Sequence, residues 1–294
     1  MKYIEKHPMI MIVLSVVGIA MSSIFVRYSQ APSTVTAAYR LLWTVLLLTP
    51  VALGKQQNRN EIVSMGAKKL LLSALSGVFL AAHFALWFES LQHTSVASST
   101  TIVCTEVIWV ALGYCLFLRG KLSGRAVLAI GITLVGSVLI AWSDSVSVGR
   151  HLYGDVLALV AAIAVAVYTL IGQHIRKTVS TVPYTYVVYV SCAATLLVCC
   201  LARGESLAVT ELSAPVVGLL LAVFCTIMGH SVFTWCLKYF SPSFVSASKL
   251  CEPVVAAVMA GFLFEEMPKV LQIVGGVLIL GGVYYYSRIE GKKQ

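Results

Sequence analysis

The feature that most constrains this chain is a series of ten apolar runs, each about as long as a membrane-crossing helix. Such a helix needs roughly 20 mostly apolar residues to span a hydrocarbon core about 30 Å thick. The runs cover residues 8–27, 33–54, 69–88, 95–118, 125–142, 154–174, 182–202, 213–236, 243–264 and 269–287. The loops between them are short, so consecutive helices are expected to be antiparallel. The sequence therefore predicts an all-α polytopic membrane protein with ten transmembrane helices.

Charged residues are scarce and unevenly placed. They make up 11% of the chain, against about 25% in a typical soluble protein. Fifteen Lys and Arg residues fall on the side shared by the N-terminus, the even-numbered loops and the C-terminus, and four fall on the other side. The positive-inside rule predicts that both termini are cytoplasmic, in a multi-pass protein of the inner (cell) membrane. The net charge of +9 then reflects topology, not nucleic-acid binding.

The eight cysteines all lie inside apolar runs, and none forms a CxxC pair or a Cys/His ligand spacing. We interpret them as small hydrophobic residues of helix interfaces. The sequence predicts no metal site and no cofactor.

A weak internal repeat divides the chain into residues 1–148 and 149–294. Sliding the second half by 146 residues, with a later one-residue gap, places matching residues together. It aligns Leu237 with Leu91, Ser241 with Ser95, Glu252 with Glu106, Gly276 with Gly131 and Gly281 with Gly136. Each unit holds five predicted helices, an odd number, so the second unit enters the membrane from the opposite side. The predicted architecture is two inverted five-helix repeats, with a substrate site near the midplane.

Four charged side chains lie well inside the apolar runs: Arg40, Glu106, Lys249 and Glu252. A charge at the bilayer centre costs about 2.5–3.5 kcal/mol on insertion scales, so each needs a partner, water or a function. Pro253 removes a backbone donor and loosens the helix beside Glu252. Two interpretations remain: buried salt bridges that fix helix registry, or a polar cavity for a zwitterion or anion. In the second, Glu252 is the first candidate for proton coupling and its repeat mate Glu106 the second.

Five other residues are candidates for the same cavity. His83 and His230 lie in equivalent helices, where facing the cavity and hydrogen-bonded packing are both plausible roles. Trp43 is one turn from Arg40, and Trp109 one turn from Glu106, close enough to stack on a substrate or a guanidinium. Core packing explains these tryptophans equally well. Tyr168 completes the predicted substrate-binding set.

Other conspicuous residues have structural explanations. The aromatic residues near helix ends are typical of an interfacial belt: Trp87, Trp142 and Tyr284–Tyr286. The glycines of the fifth and tenth helices allow close helix packing, within the chain or in a dimer.

Several motifs carry a family resemblance over essentially the whole chain. They are Ser22–Arg27, Tyr39–Leu42, Gly154–Leu159, Glu252-Pro253-Val254 and Phe264-Glu265-Glu266. With them the chain resembles the EamA family of the drug/metabolite transporter superfamily. The first repeat departs from the pattern, with Val107 where proline is expected and Arg119-Gly120-Lys121 in place of a loop glutamate. The resemblance implies ten helices, an inner-membrane location and proton-linked or facilitated movement of small metabolites, often amino acid export.

The resulting hypothesis is a secondary transporter that works by alternating access on an amino acid or similar amphiphile. A passive channel or facilitator is the alternative, and a membrane-embedded enzyme is a more remote one. The chain lacks the HExxH and GxSG motifs of intramembrane proteases. The expected partners are the lipid bilayer, a small metabolite and protons, and the sequence leaves monomer and homodimer open.

Overall fold

The structure is a computed structural model, and the described part of the chain consists of helices and loops without a strand. The described residues are 8–26, 28–94, 96–144, 152–208, 213–264 and 269–290. The helices of the first half are α1 (Pro8–Val26), α2 (Ser33–Gly54), α3 (Gln56–Ser64), α4 (Gly66–His93), α5 (Val96–Cys104), α6 (Glu106–Leu116) and α7 (Gly124–Asp144).

The second half repeats this order without a counterpart of the short helix α3. The eighth predicted run, residues 213–236, combines two short α-helices with a π-helical segment, Leu221–Ser231. The α-helices are α8 (Leu152–Ile175), α9 (Thr181–Ala202), α10 (Ser213–Leu220), α11 (Val232–Cys236), α12 (Pro242–Lys249), α13 (Glu252–Phe264) and α14 (Val270–Glu290).

Seven helical stretches of the described residues are long and apolar enough to cross a membrane, and shorter apolar helices accompany them. The unbroken stretch Ser213–Cys236 is one of the seven. The fourth, fifth and ninth predicted runs are not among the seven. The fourth and ninth are each split into two shorter helices, and the fifth is one of the shorter apolar helices, Gly124–Ile140. The all-helical membrane fold is confirmed, while ten crossings in two inverted repeats stays a prediction.

Contacts at the helix ends show that the chain runs back and forth. The Thr94 hydroxyl after α4 donates to the Asp155 carboxylate near the start of α8, at 2.8 Å. At the other end of the bundle, the Ser180 amide donates to the Glu61 carboxylate of α3, at 2.5 Å. We call the end where α1 begins and α14 ends the terminal end, and the opposite one the far end. Ser180 lies at the terminal end and Thr94 at the far end.

The first helix break falls at Thr105, between α5 and α6. Its amide donates to the carbonyl of Ile102 at 3.0 Å, and its hydroxyl donates to the same carbonyl at 2.6 Å. A hydroxyl that bonds the preceding turn offers the backbone an alternative to the helical ladder. This hydrogen bond to the carbonyl three residues earlier, in place of the usual four, interrupts the helix without a proline.

The second break spans Leu250 and Cys251, between α12 and α13. Their amides also donate to carbonyls three residues earlier, Leu250 to Ala247 at 3.1 Å and Cys251 to Ser248 at 3.2 Å. Pro253 follows as the second residue of α13, where its missing donor costs little because the first turn has no intrahelical acceptor. Both breaks thus end in a new half-helix whose first residue is a glutamate, Glu106 or Glu252.

The π-helical segment packs closely against α1. A Cβ on Gly18 would lie 2.6 Å from the Phe224 carbonyl oxygen, and one on Gly229 would lie 2.7 Å from the Ile19 side chain. Within the segment, the Thr226 hydroxyl donates to the carbonyl five residues earlier, at 3.2 Å. Such wide turns are rare and often found at functional sites. Here the segment carries Thr226 and His230 to the middle of the bundle.

Candidate functional site: a charged cavity at mid-depth

The breaks and the π-helical segment surround a cavity. Six of the nine predicted substrate-binding residues line it. The lining consists of Ile19, Ser22, Arg40, His83, Trp87, Thr100, Val103, Cys104, Glu106, Val165, His230, Ser246, Lys249, Leu250 and Glu252.

Lys249 and Glu106 form an ion pair across the two breaks. The Lys249 Nζ lies 2.8 Å from the Glu106 Oε1, and the two side chains are 12% and 7% exposed. The i, i+3 spacing of Lys249 and Glu252 would put them on one face of a continuous helix. The interruption at Leu250 and Cys251 instead separates them into two helices. The lysine therefore pairs with the carboxylate of the other half of the chain.

Arg40 is buried, with only 1% of its surface exposed. Its Nε donates to the Thr226 hydroxyl at 2.7 Å, and its guanidinium carbon lies 4.1 Å from the Phe84 ring centroid. A cation over an aromatic face is held in place by the ring's quadrupole. Arg40 forms no ion pair with the described residues, and its two terminal nitrogens form no hydrogen bond with them.

Glu252 lines the same cavity and has neither a hydrogen bond nor an ion pair within the described part of the chain. It is the first residue of α13, where unpaired backbone N–H groups favour a negative charge. After Lys249 and Glu106 have paired, one cation and one carboxylate remain available in the cavity. They are Arg40 and Glu252.

The two predicted histidines meet at the cavity wall. His83 Nδ1 is 3.1 Å from the Ala161 carbonyl oxygen. A carbonyl only accepts, so this nitrogen carries the proton and, in a neutral ring, Nε2 is an acceptor. The His83 ring stacks on Trp87 at 6.0 Å with an interplanar angle of 10°. The ring centroid of His230 lies 6.5 Å from that of His83, and the ring packs edge-on against Phe84 with the centroids 5.3 Å apart.

Trp87 was missed as a site residue, because its place near a helix end suggested an interfacial belt. The structure corrects this interpretation: Trp87 is 7% exposed and lines the cavity. Its Nε1 has no hydrogen-bond partner among the described residues, and the same holds for the Ser246 Oγ. The signal in the sequence was the spacing of four from His83, which puts both rings on one helix face.

Three predicted site residues lie outside the lining. Trp43 donates from Nε1 to the Pro215 carbonyl at 3.0 Å, a helix-packing contact. Trp109 Nε1 is buried without a partner among the described residues. The Tyr168 hydroxyl is 2.8 Å from the Thr234 hydroxyl, and its ring lies 6.2 Å from His230, just behind the wall.

Buried hydroxyl pairs fill the bundle on the terminal side of the cavity. Ser76 and Tyr184 are fully buried and hydrogen-bonded at 2.7 Å. Ser76 precedes His83 by seven residues on α4, which places it about 10 Å nearer the terminal end at 1.5 Å per residue. The pair of Tyr168 and Thr234 lies on the same side. Two buried, hydrogen-bonded pairs therefore lie between the cavity wall and the terminal end.

The far end carries an exposed ionic cluster around Arg203. Arg203 Nη1 lies 3.2 Å from Glu89, 3.6 Å from Glu205 and 2.9 Å from the Thr34 hydroxyl. The hydrogen bond to Glu89 raises the pKa of Arg203. The side chain is 46% exposed, so the cluster is solvated and adds little to stability.

Comparison with known proteins supports a transport role. The model of the EamA-like transporter family matches residues 7–142 and again residues 152–288. The chain is 26% identical over 224 residues to an uncharacterised transporter of Archaeoglobus fulgidus, covering 74% of this chain and 76% of the relative. A Bacillus subtilis uncharacterised transporter is 24% identical over 281 residues, covering 95% and 89%. The resemblance found in the sequence is confirmed.

Two further matches extend the comparison. A WAT1-related protein of Arabidopsis thaliana is 27% identical over 282 residues, covering 85% of this chain and 78% of the relative. A solved structure superposes with a TM-score of 0.80 at 13% identity, over 98% of this chain and 99% of the other. This likeness concerns the fold alone. Family, relatives and apolar helices together indicate a multi-pass membrane transporter.

Proposed function

Because the chain belongs to the EamA-like transporter family, we propose that it is a secondary transporter for a small zwitterion, an amino acid or similar amphiphile. One observation carries the proposal. The mid-depth cavity holds a guanidinium and a carboxylate, Arg40 and Glu252, that have no ion-pair partner in the described chain. Buried charges without partners are costly, and a ligand of opposite charges would satisfy both.

The two groups differ in a way that suits the two ends of an amino acid. Arg40 presents a planar fork of donors, which fits a carboxylate better than a point charge does. Phe84 and Thr226 hold this fork in place, so little order is lost when a ligand binds. Glu252, a pure acceptor when ionised, suits an ammonium group. His83, His230 and Trp87 supply ring surface for the remainder of an amphiphile.

Proton coupling is the second part of the proposal. Glu106 already neutralises Lys249 at 2.8 Å, and this leaves Glu252 as the carboxylate able to exchange a proton. When Glu252 is charged it binds the substrate ammonium, and when it is protonated it releases it. One proton entering for each substrate leaving would drive export. Glu106 then serves as the fixed counterpart.

The closed terminal side supports a carrier over a channel. A channel needs a continuous pathway, whereas the hydrogen-bonded pairs Ser76–Tyr184 and Tyr168–Thr234 lie buried on the terminal side of the cavity. Alternating access would open this layer when the far side closes, by movement of two inverted five-helix repeats, residues 1–148 and 149–294. We place both termini in the cytoplasm of a cell-membrane protein. A cysteine introduced at Asn58 should then react only from the cytoplasmic side.

The test is counterflow in proteoliposomes with the twenty amino acids, followed by uptake under an imposed pH gradient. Wild-type protein should exchange at least one amino acid and concentrate it when the gradient is present. Glu252→Gln should bind the substrate more weakly, retain only residual exchange at equilibrium and lose the uphill component. Arg40→Lys should bind carboxylate substrates more weakly. Exchange that ignores the gradient would remove the coupling proposal. Failure to exchange any amino acid would overturn the substrate class.

A further inference from the structure

Trp87 belongs to the cavity wall and carries an unpaired hydrogen-bond donor. Its side chain is 7% exposed, it belongs to the cavity lining, and its Nε1 has no partner among the described residues. Buried N–H groups are nearly always hydrogen-bonded, so an unpaired one in a cavity wall points to a ligand or to water. We propose that Trp87 is a substrate-binding residue whose indole N–H bonds the substrate carboxylate beside Arg40 and so fixes the substrate's orientation. This inference rests on the proposed function.

The positions of the rings put the two donors on one side of the cavity. The Arg40 guanidinium lies over Phe84 at 4.1 Å. Phe84 and Trp87 are three residues apart on α4 and therefore neighbours on its surface. The near-parallel stack of His83 on Trp87 holds the indole in place. A ligand oxygen beside Arg40 would thus face a second donor supplied by α4.

The chemistry of each group then sets the direction of the ligand. An indole nitrogen only donates, and a guanidinium only donates, so both require acceptor atoms. An ionised carboxylate only accepts, so Glu252 on α13 requires a donor. A zwitterion would lie with its carboxylate towards α2 and α4 and its ammonium towards the break before α13. The reverse orientation would place like charges together at both ends.

Trp109 offers a matched control for this role. Its Nε1 is also buried without a partner among the described residues, but it does not line the cavity. Trp87→Phe and Trp109→Phe both delete an indole N–H and keep a ring. Trp87→Tyr is a second variant with no donor at the Nε1 position, in case phenylalanine disturbs the stack on His83.

The experiment measures binding of three probes to purified protein. They are the amino acid that wild type exchanges best, the amine that lacks its carboxylate, and the acid that lacks its amino group. Trp87→Phe should weaken binding of the amino acid and of the acid about tenfold, as expected for a lost hydrogen bond to a charged group. Binding of the amine should be unchanged. Glu252→Gln should weaken binding of the amino acid and of the amine but leave binding of the acid unchanged. Trp109→Phe should match wild type for all three.

The outcomes separate this inference from the function beneath it. Suppose that wild type binds the amino acid and that Trp87→Phe leaves binding of all three probes unchanged or weakens it equally. Trp87 then only packs in the cavity wall, and the inference fails while the proposed function stands. If both Trp87 variants weaken the amine alone, the orientation is reversed and the inference also fails. If wild type binds no amino acid, the proposed substrate class falls and takes this inference with it.

Discussion

The two broken helices of the molecule share a backbone plan but differ in charge. In each, a three-residue return ends one half-helix, and a glutamate begins the next. Glu106 is held by Lys249 from the opposite break. The equivalent cation for Glu252 is missing, because Val103 stands at the position that the repeat aligns with Lys249. A near-symmetric frame thus carries one neutralised carboxylate and one without an ion pair.

This difference suggests how a duplicated frame can divide two tasks. A paired buried carboxylate is expensive to disturb, because its partner would be left as an uncompensated charge. It therefore suits the fixed part of a site. A carboxylate with no competing protein partner can change its protonation and its ligand without breaking the fold. The proposed division of tasks requires that the two glutamates respond differently when each is changed.

Removing the charge from each glutamate should give the largest contrast. Glu106→Gln leaves Lys249 buried without its partner and should lower the free energy of unfolding by about 3–5 kcal/mol. Glu252→Gln breaks no ion pair in the described chain and should cost less than about 1 kcal/mol. Reversible unfolding in detergent or bicelles measures both values.

A double variant serves as the control for this contrast. Glu106→Gln combined with Lys249→Met removes both charges and should recover most of the lost stability, because no buried charge is left unpaired. Equal losses in the two single variants would mean that the two glutamates have equivalent surroundings, and would remove the proposed division.

Proline scanning tests whether the two breaks are equivalent in the backbone. Val107 is the second residue of α6, as Pro253 is of α13, and its N–H has no acceptor four residues earlier within that helix. Val107→Pro should therefore cost less than about 1 kcal/mol. Val110→Pro lies in the helix interior, where the ring would clash with the Glu106 carbonyl, and should cost about 3 kcal/mol or more.

Both valines are fully buried, so the comparison is matched for burial as well as for residue type. Unfolding free energies of the two variants give the measurement. If Val107→Pro is as damaging as Val110→Pro, the interruption at Thr105 is a local irregularity, and α5 and α6 behave as one continuous helix.

Much of this organisation could be predicted from the sequence, because apolar runs and buried charges leave few alternatives in a membrane. The charged residues of the cavity were identified from their position within apolar runs alone. The pairing of Lys249 with Glu106 could not be, since spacing along one helix favoured Glu252 and the partner lies 143 positions away. The break at Thr105 was also missed, because it depends on a hydroxyl hydrogen bond and not on a proline. Trp87 was missed because closeness to a helix end says nothing about which side of the helix faces the core.

The smallest contrast concerns the glycines of the fifth and tenth helices, which the repeat aligns in pairs. A Cβ on Gly136 would lie 2.6 Å from the Gly275 carbonyl oxygen, and one on Gly275 would lie 2.6 Å from the Gly136 carbonyl oxygen. A Cβ on Gly281, which the repeat aligns with Gly136, would have no atom within 4 Å in the described chain. A close approach of α7 and α14 therefore lies within the chain, at two glycines that the repeat does not align with each other.

Alanine substitutions should expose this difference in packing. Gly136→Ala must push two backbones apart and should cost about 1–3 kcal/mol, the usual range for overpacking a close contact. Gly281→Ala meets no neighbouring atom in the described chain and should cost nothing, because alanine favours a helix more than glycine does. Gly275→Ala serves as the second arm and should resemble Gly136→Ala, since the two approach the same contact from opposite sides. A loss of stability in Gly281→Ala equal to that in Gly136→Ala would show that a partner covers this open face, and that the repeat-related glycines have equivalent packing after all.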